Sequence, residues 1–309
     1  MKKILFAIVC LTMMSIQSVK AQSSIVALHH EGNVTLYSST QLQTALDVAV
    51  EGDTLYLSEG TFSGDVKLVK SNICISGAGK NTILAGNLWL GESTTASIEN
   101  NTLEGLNILG SNVWVYSLKN CKMSQCQFNT MRSGSSEGYT TELLISNCFC
   151  KEELTMQGMI GIAAFNSKFV KLSKRAGAAG GASFTNCNIG TIPFESGDNY
   201  GNDNTRIFTN CIINDWGTKA TCVNCYLRTS EAAGSLTDCY VSTTAALDDN
   251  MDCVLDNLSD YVGNDGKVVG ITGGDNPYTL TPSAPHVSAH SIEVDAVNQK
   301  LNVTLTIEN

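Results

Sequence analysis

The segment Phe184-Thr185-Asn186-Cys187-Asn188-Ile189 decides the fold, because its arrangement returns along the chain. It stands at Leu118-Lys119-Asn120-Cys121-Lys122-Met123, Ile145-Ser146-Asn147-Cys148-Phe149-Cys150 and Phe208-Thr209-Asn210-Cys211-Ile212-Ile213. Cys222-Val223-Asn224-Cys225-Tyr226-Leu227 and Leu236-Thr237-Asp238-Cys239-Tyr240-Val241 continue it. Looser copies are Ile98-Glu99-Asn100-Asn101-Thr102-Leu103, Phe165-Asn166-Ser167-Lys168-Phe169 and Met251-Asp252-Cys253-Val254-Leu255. The unit is apolar-x-Asn-Cys-x-apolar.

Alternate residues of a strand face one side, so the Cys and the apolar residue two later point inward together. Asn and Asp tolerate the left-handed backbone of a sharp corner. Each Asn therefore marks a corner between two short strands, and stacked corners bury one continuous core. Successive copies lie 19 to 27 residues apart as far as Cys211 and 14 apart after it. The pattern predicts a solenoid of roughly ten coils whose last turns taper or lack a strand.

Upstream, Thr40 and Gln43 have the spacing of a capping box, and Leu42, Ala45, Leu46 and Ala49 make one apolar helical face ending at Gly52. Short strands follow at 54–57, 60–62, 66–69 and 73–75. A helix at the head of a strand stack predicts a lid over the first coil.

The run Leu42-Gln43-Thr44-Ala45-Leu46, then Glu51-Gly52-Asp53-Thr54-Leu55-Tyr56-Leu57-Ser58-Glu59-Gly60-Thr61-Phe62 and Ile75-Ser76-Gly77-Ala78-Gly79, resembles the opening of right-handed parallel β-helix proteins of the pectin-lyase-like superfamily. Asp265-Gly266 through Val269-Gly270-Ile271, Gly273-Gly274 and Pro277 is similar to the exit of secreted bacterial members. The resemblance covers roughly residues 35 to 280. It implies an all-β, right-handed parallel β-helix and leaves activity open, because that fold hosts lyases, hydrolases, esterases, adhesins and inert spikes. After Pro277, the alternation at 291–295 and 301–307 predicts a C-terminal β-hairpin folded against the last coils as a cap.

Residues 1–21 read as an export signal: Lys2-Lys3, an apolar run from Ile4 to Ile16, and Val19-Lys20-Ala21 before the expected cleavage. That run is too short to span a bilayer. The expected divisions are 1–21 signal, 22–280 β-helix with its cap, and 281–309 linker and hairpin. Losing Lys2, Lys3 and Lys20 takes the formal net charge from −10 to −13, which argues against nucleic acid and anionic lipid as partners. The chain has 12 cysteines, and export would ordinarily pair them. Their place in the ladder predicts buried free thiols instead, and packing also accounts for Cys222-x-x-Cys225.

No histidine lies between residues 31 and 285. The His-containing motif of polygalacturonase-like enzymes and the Trp-x-Asp-His signature of pectate-lyase-like enzymes are both missing. His29-His30 reads as a loose arm, and His286 and His290 as residues of extended chain. The polar run from Glu195 to Arg206 holds Glu195, Asp198 and Asp203, oxygen ligands suited to Ca²⁺. With Arg206 or Lys174-Arg175 facing a uronate, it outlines a calcium-assisted polysaccharide lyase. A solvated loop rich in turn formers is the competing account.

Outward-pointing rings are the other signal. In Leu88-Trp89-Leu90 and Val113-Trp114-Val115-Tyr116 the aliphatics face in, leaving Trp89, Trp114 and Tyr116 outside. The residue after each ladder Cys also faces out, stacking Ile212, Tyr226, Tyr240 and Val254. Trp89, Trp114, Tyr116, Tyr226 and Tyr240 thus form a candidate platform for sugars, unless loops or the hairpin cover them. The expected function is an exported, non-catalytic β-helix that binds a polysaccharide, a cell-surface glycan or another extracellular surface. The lyase is one alternative, and a structural or oligomerising surface protein is the other.

Overall fold

The computed structural model describes residues 24–135, 139–157, 159–173, 181–193, 206–217, 220–228 and 235–281, and the backbone of His286–Asp295 and Lys300–Glu308. Among the described residues strand accounts for 52% and there is one short helix, and the chain winds into a parallel β-solenoid of about seven turns. The count is lower than the ladder copies suggest because Cys253 lies outside the coil, two of the copies use different corners, and the last steps are short. One apolar core runs the length of the coil, from Val26 and Leu55 through Phe128, Phe169 and Phe184 to Leu227.

The corners are where the pattern places them. Asn147, Asn166, Asn186, Asn210, Asn224 and Asp238 all have φ between 44° and 54°, and each ends a strand of one sheet just before a strand of the next. In this column the copy above Asn147 is Gln125-Cys126, not Asn120-Cys121, since Ser124 pairs with Ser146 and Gln127 with Phe149. Asn120 belongs to an earlier corner with Asn72 and Asn100. Their amides form a chain there: Asn120 Nδ2 donates to Asn100 Oδ1 (2.7 Å), and Asn100 Nδ2 to Asn72 Oδ1 (3.0 Å).

A thiol fits the inside of the bend for a polar reason as well as a steric one. Cys211 Sγ approaches the carbonyls of Thr209 (3.3 Å) and Phe184 (3.4 Å) and accepts the Cys187 N–H at 3.4 Å. Ser167 does the same work with a hydroxyl, reaching Phe165 O at 2.8 Å and accepting the Cys148 N–H at 3.1 Å. The described cysteines are free thiols, and Cys121, Cys126, Cys148, Cys150, Cys187, Cys211, Cys222 and Cys225 are buried. Where the step falls to 14 residues, the described part of each rung is the pair of short strands flanking the corner. Among the described residues, Ile212 and Ile213 pair onward with Tyr226 and Leu227, and Asp215 and Trp216 pair back with Thr191 and Ile192.

The N-terminal lid is larger than a helix. Ile25–His30 and Asn33–Ser38 form a hairpin, and the former pairs antiparallel with Thr54–Leu57 of the first coil. His29-His30 is therefore a strand, not a loose arm. His29 packs edge-on against Tyr56 at 4.8 Å, and His30 Nδ1 lies 2.7 Å from Asp53 Oδ1. The helix spans Leu42–Val48 behind a turn of 3₁₀ helix at Ser39–Gln41. Its capping contact is Ser38 N–H to Gln41 Oε1 (3.1 Å), two residues earlier than Thr40/Gln43. Gln43 instead reads the edge strand Val66–Leu68, accepting Lys67 N–H at 2.8 Å and donating to Lys67 O at 3.2 Å. A side-chain amide thus stands in for a missing neighbouring strand.

After Ser242 the chain folds back along the coil as a strap. Asn214 Oδ1 accepts the N–H groups of Ala246 and Leu247, and Asn188 Nδ2 donates to Met251 O at 2.8 Å. The strap then climbs the Asn column, with Asn264 N–H to Asn210 Oδ1, Asn166 Nδ2 to Gly273 O and Thr279 N–H to Asn147 Oδ1, while beside the column Ile271 N–H meets Asn188 Oδ1. It reaches Gln125, whose Nε2 donates to Thr281 O. Cys253 sits in this strap, bridging with Leu247, so Met251–Leu255 is not a rung. The hairpin forms as expected, His286–Asp295 against Lys300–Glu308, as a separate two-stranded sheet. Among the described residues no helix is long and apolar enough to cross a membrane.

Candidate functional site

The outward aromatics separate into two groups. Tyr226 is 1% exposed. Its ring meets Tyr261 of the strap edge-on, its hydroxyl donates to Thr244 O at 3.1 Å, and Tyr240 packs on the other side of Tyr261. These two tyrosines are committed to holding the strap. The alternation that turns them away from the coil interior is sound, but a segment 35 residues further on covers that face.

Trp89 and Trp114 stay on the surface, partly exposed. They are register partners on adjacent parallel strands, Leu88–Leu90 and Val113–Val115, whose flanking aliphatics are buried. The indoles therefore project from neighbouring positions about 4.8 Å apart at the backbone. Register extends the row at both ends, Lys67 beside Trp89 and Arg132 beside Trp114. Lys67 Nζ lies 5.6 Å from the Trp89 ring centroid, a cation–π distance. Arg132 Nε is buried from solvent without a hydrogen-bond partner. Tyr116 follows two residues after Trp114, its ring over Gly134. A Cβ on that glycine would fall 2.3 Å from the ring, so the glycine is what lets the tyrosine lie there.

Lys67 carries the same alternation that exposes the tryptophans, between buried Val66 and Leu68. Val66-Lys67-Leu68 repeats the pattern of Leu88-Trp89-Leu90, Met131-Arg132-Ser133 keeps only its first half, and register shows that the four residues form one row. Two cations on a chain of net charge −10 make this row a local inversion of the overall field.

Glu195, Asp198 and Asp203 lie outside the described residues, as do Lys174 and Arg175. Arg206 is 6% exposed, inside the coil wall rather than on its surface. Among the described residues no group of three or more His, Cys, Asp or Glu is arranged to hold a metal ion. Lys168 is likewise occupied: it pairs with Asp252 at 2.5 Å and stands 4.9 Å over the Tyr278 ring. No family model, no curated protein and no solved structure matches the chain.

Proposed function

We propose that this protein is an exported right-handed parallel β-helix of the pectin-lyase-like kind that binds an anionic glycan without cleaving it. The observation that carries this reading is the in-register pair Trp89 and Trp114 flanked by Lys67 and Arg132. Indole faces on a rigid sheet offer apolar surface to sugar rings at little entropic cost, and the cations at either end match carboxylate or sulfate substituents. Two indoles and two cations hold a chain and supply no general base.

The test is binding of the secreted chain to matched neutral, uronate-rich and sulfated polysaccharides by calorimetry. Trp114→Ala should weaken binding by about 0.5–1.5 kcal/mol, by analogy with aromatic pair energies, and Arg132→Gln should abolish the preference for charged chains. Tyr226→Ala should leave affinity unchanged. Equal binding by the wild type and Trp114→Ala, or release of unsaturated products from any of these chains, sinks the reading.

A further inference from the structure

We infer that copies of this chain join head to tail, the Asn33–Ser38 edge of one copy parallel to the Ser235–Thr237 edge of the next, so that one sheet continues from molecule to molecule. Both strands are the free ends of the same sheet, and no described strand pairs with the outer side of either. Their directions decide the partner. Asn33–Ser38 is antiparallel to Ile25–His30, which is antiparallel to Thr54–Leu57. The outermost strand therefore runs the same way as the parallel strands of the coil, Ser235–Thr237 included. Copies related by translation along the solenoid axis, with whatever rotation the twist requires, bring the two edges together in the geometry already used within the coil.

The outward column through this sheet is continuous. Leu36 pairs with Ala27, Ala27 with Tyr56, and Tyr56 with Ser76. At the far end Thr185 pairs with Thr209, Thr209 with Val223, and Val223 with Thr237. An ungapped junction sets Leu36 of one copy beside Thr237 of another.

Chemistry at the two ends agrees with a second copy as the occupant. Exposed sheet edges are ordinarily blunted by lysine, proline or a bulge. Asn-Val-Thr-Leu-Tyr-Ser has none of these, and Val34 and Leu36 are 53% and 65% exposed. Val48 and Val50 beside the lid are exposed as well, and Val241 is exposed at the other end, where Leu236 and Cys239 are only partly buried. Both ends therefore carry exposed apolar side chains. Because the contact joins unlike ends it does not close on itself, and it builds a line of copies. The inference is independent of the glycan reading.

Sedimentation velocity of the chain starting at Gln22, from low to high micromolar concentration, tests it. The wild type should shift progressively from monomer to longer species, while Leu36→Lys and Thr237→Lys should each stay monomeric with unchanged circular dichroism. An equimolar mixture of the two variants retains one good edge of each kind and should stop at dimers. The double variant Leu36→Glu/Thr237→Lys should assemble again, which excludes misfolding as the cause of the single-variant loss. A wild type that is monomeric throughout, or Thr237→Lys dimerising alone through like edges, overturns the proposal.

Discussion

The ring of Tyr261 stands edge-on between Tyr226 and Tyr240, its centroid 5.0 Å from each and its plane 85° and 86° from theirs. This contact joins the strap to the last short rungs of the coil. Those rungs have only three-residue strands and thus little ladder of their own. Tyr261→Ala removes two edge-to-face contacts and should lower stability by about 1–3 kcal/mol. Tyr226→Ala, at a fully buried site, should cost about 3–5 kcal/mol. Urea unfolding followed by tyrosine fluorescence checks both, and a neutral Tyr261→Ala would mean that the strap is not a structural support.

The thiols in the corner slots act as weak hydrogen-bonding groups, as Ser167 shows by occupying the same slot. Cys211→Ser keeps the donor to Thr209 O and the acceptor for Cys187 N–H, and should cost no more than about 1 kcal/mol. Cys211→Val orphans that buried N–H and should cost about 1–3 kcal/mol. Burial raises the pKa of Cys211, Cys150 and Cys126, with the Cys148 thiol adding to the shift at Cys126, so native protein should react slowly with thiol reagents at pH 8 and the unfolded chain fully. Extensive oxidation in the unfolded, unreduced chain would contradict the free-thiol ladder.

The corner column is legible in the sequence because its signal is local: a residue that tolerates positive φ, then a small inward residue, then an apolar one. Choosing between Asn120-Cys121 and Gln125-Cys126 is not a local matter. Asn120-Cys121 fits the unit while Gln125-Cys126, five residues on, departs from it at Gln125, yet the pairing of Ser124 with Ser146 puts Gln125 in the column. The row of Lys67, Trp89, Trp114 and Arg132 is half legible, since alternation shows that Lys67, Trp89 and Trp114 face out while register is needed to make the four neighbours. The covering of Tyr226 depends on a contact with Tyr261 that no periodicity encodes. His29-His30 misleads as an arm because the strand it belongs to is half exposed and so lacks a clean alternation.

Acidity bears on the lid through His30. Its hydrogen bond with Asp53 raises the His30 pKa above 6.5, the Asp53 charge adds to this, desolvation opposes it, and Glu31 contributes last. A raised folded-state pKa means that the contribution is fully present below about pH 6.5 and is lost as pH rises through the folded value. Asp53 is also tied to Val50 N–H at 2.8 Å, so it stays in place as His30 loses its proton. Amide exchange in Ile25–His30 should therefore speed up between pH 6 and 9, after correction for intrinsic rates, and His30→Gln should flatten that dependence. Slower corrected exchange at the higher pH would reverse the sign and refute the linkage.

Two asparagines of the same column separate what the corner needs from what the strap needs. Asn224 and Asn210 have φ of 49° and 54°, a backbone state that costs an ordinary L-residue about 1–2 kcal/mol. Alanine at either position should incur that cost. Glycine carries no such penalty in the left-handed region, so Asn224→Gly should be nearly neutral. Asn210 is different, because its Oδ1 accepts Asn264 N–H at 3.1 Å and the side chain is 2% exposed. Asn210→Gly leaves that N–H without its partner and should cost about 1–3 kcal/mol although the backbone is relaxed. Comparing the four variants by urea unfolding isolates the strap contact as the difference between the two glycine substitutions. Equal effects of Asn210→Gly and Asn224→Gly would show that the strap draws nothing from the column it climbs.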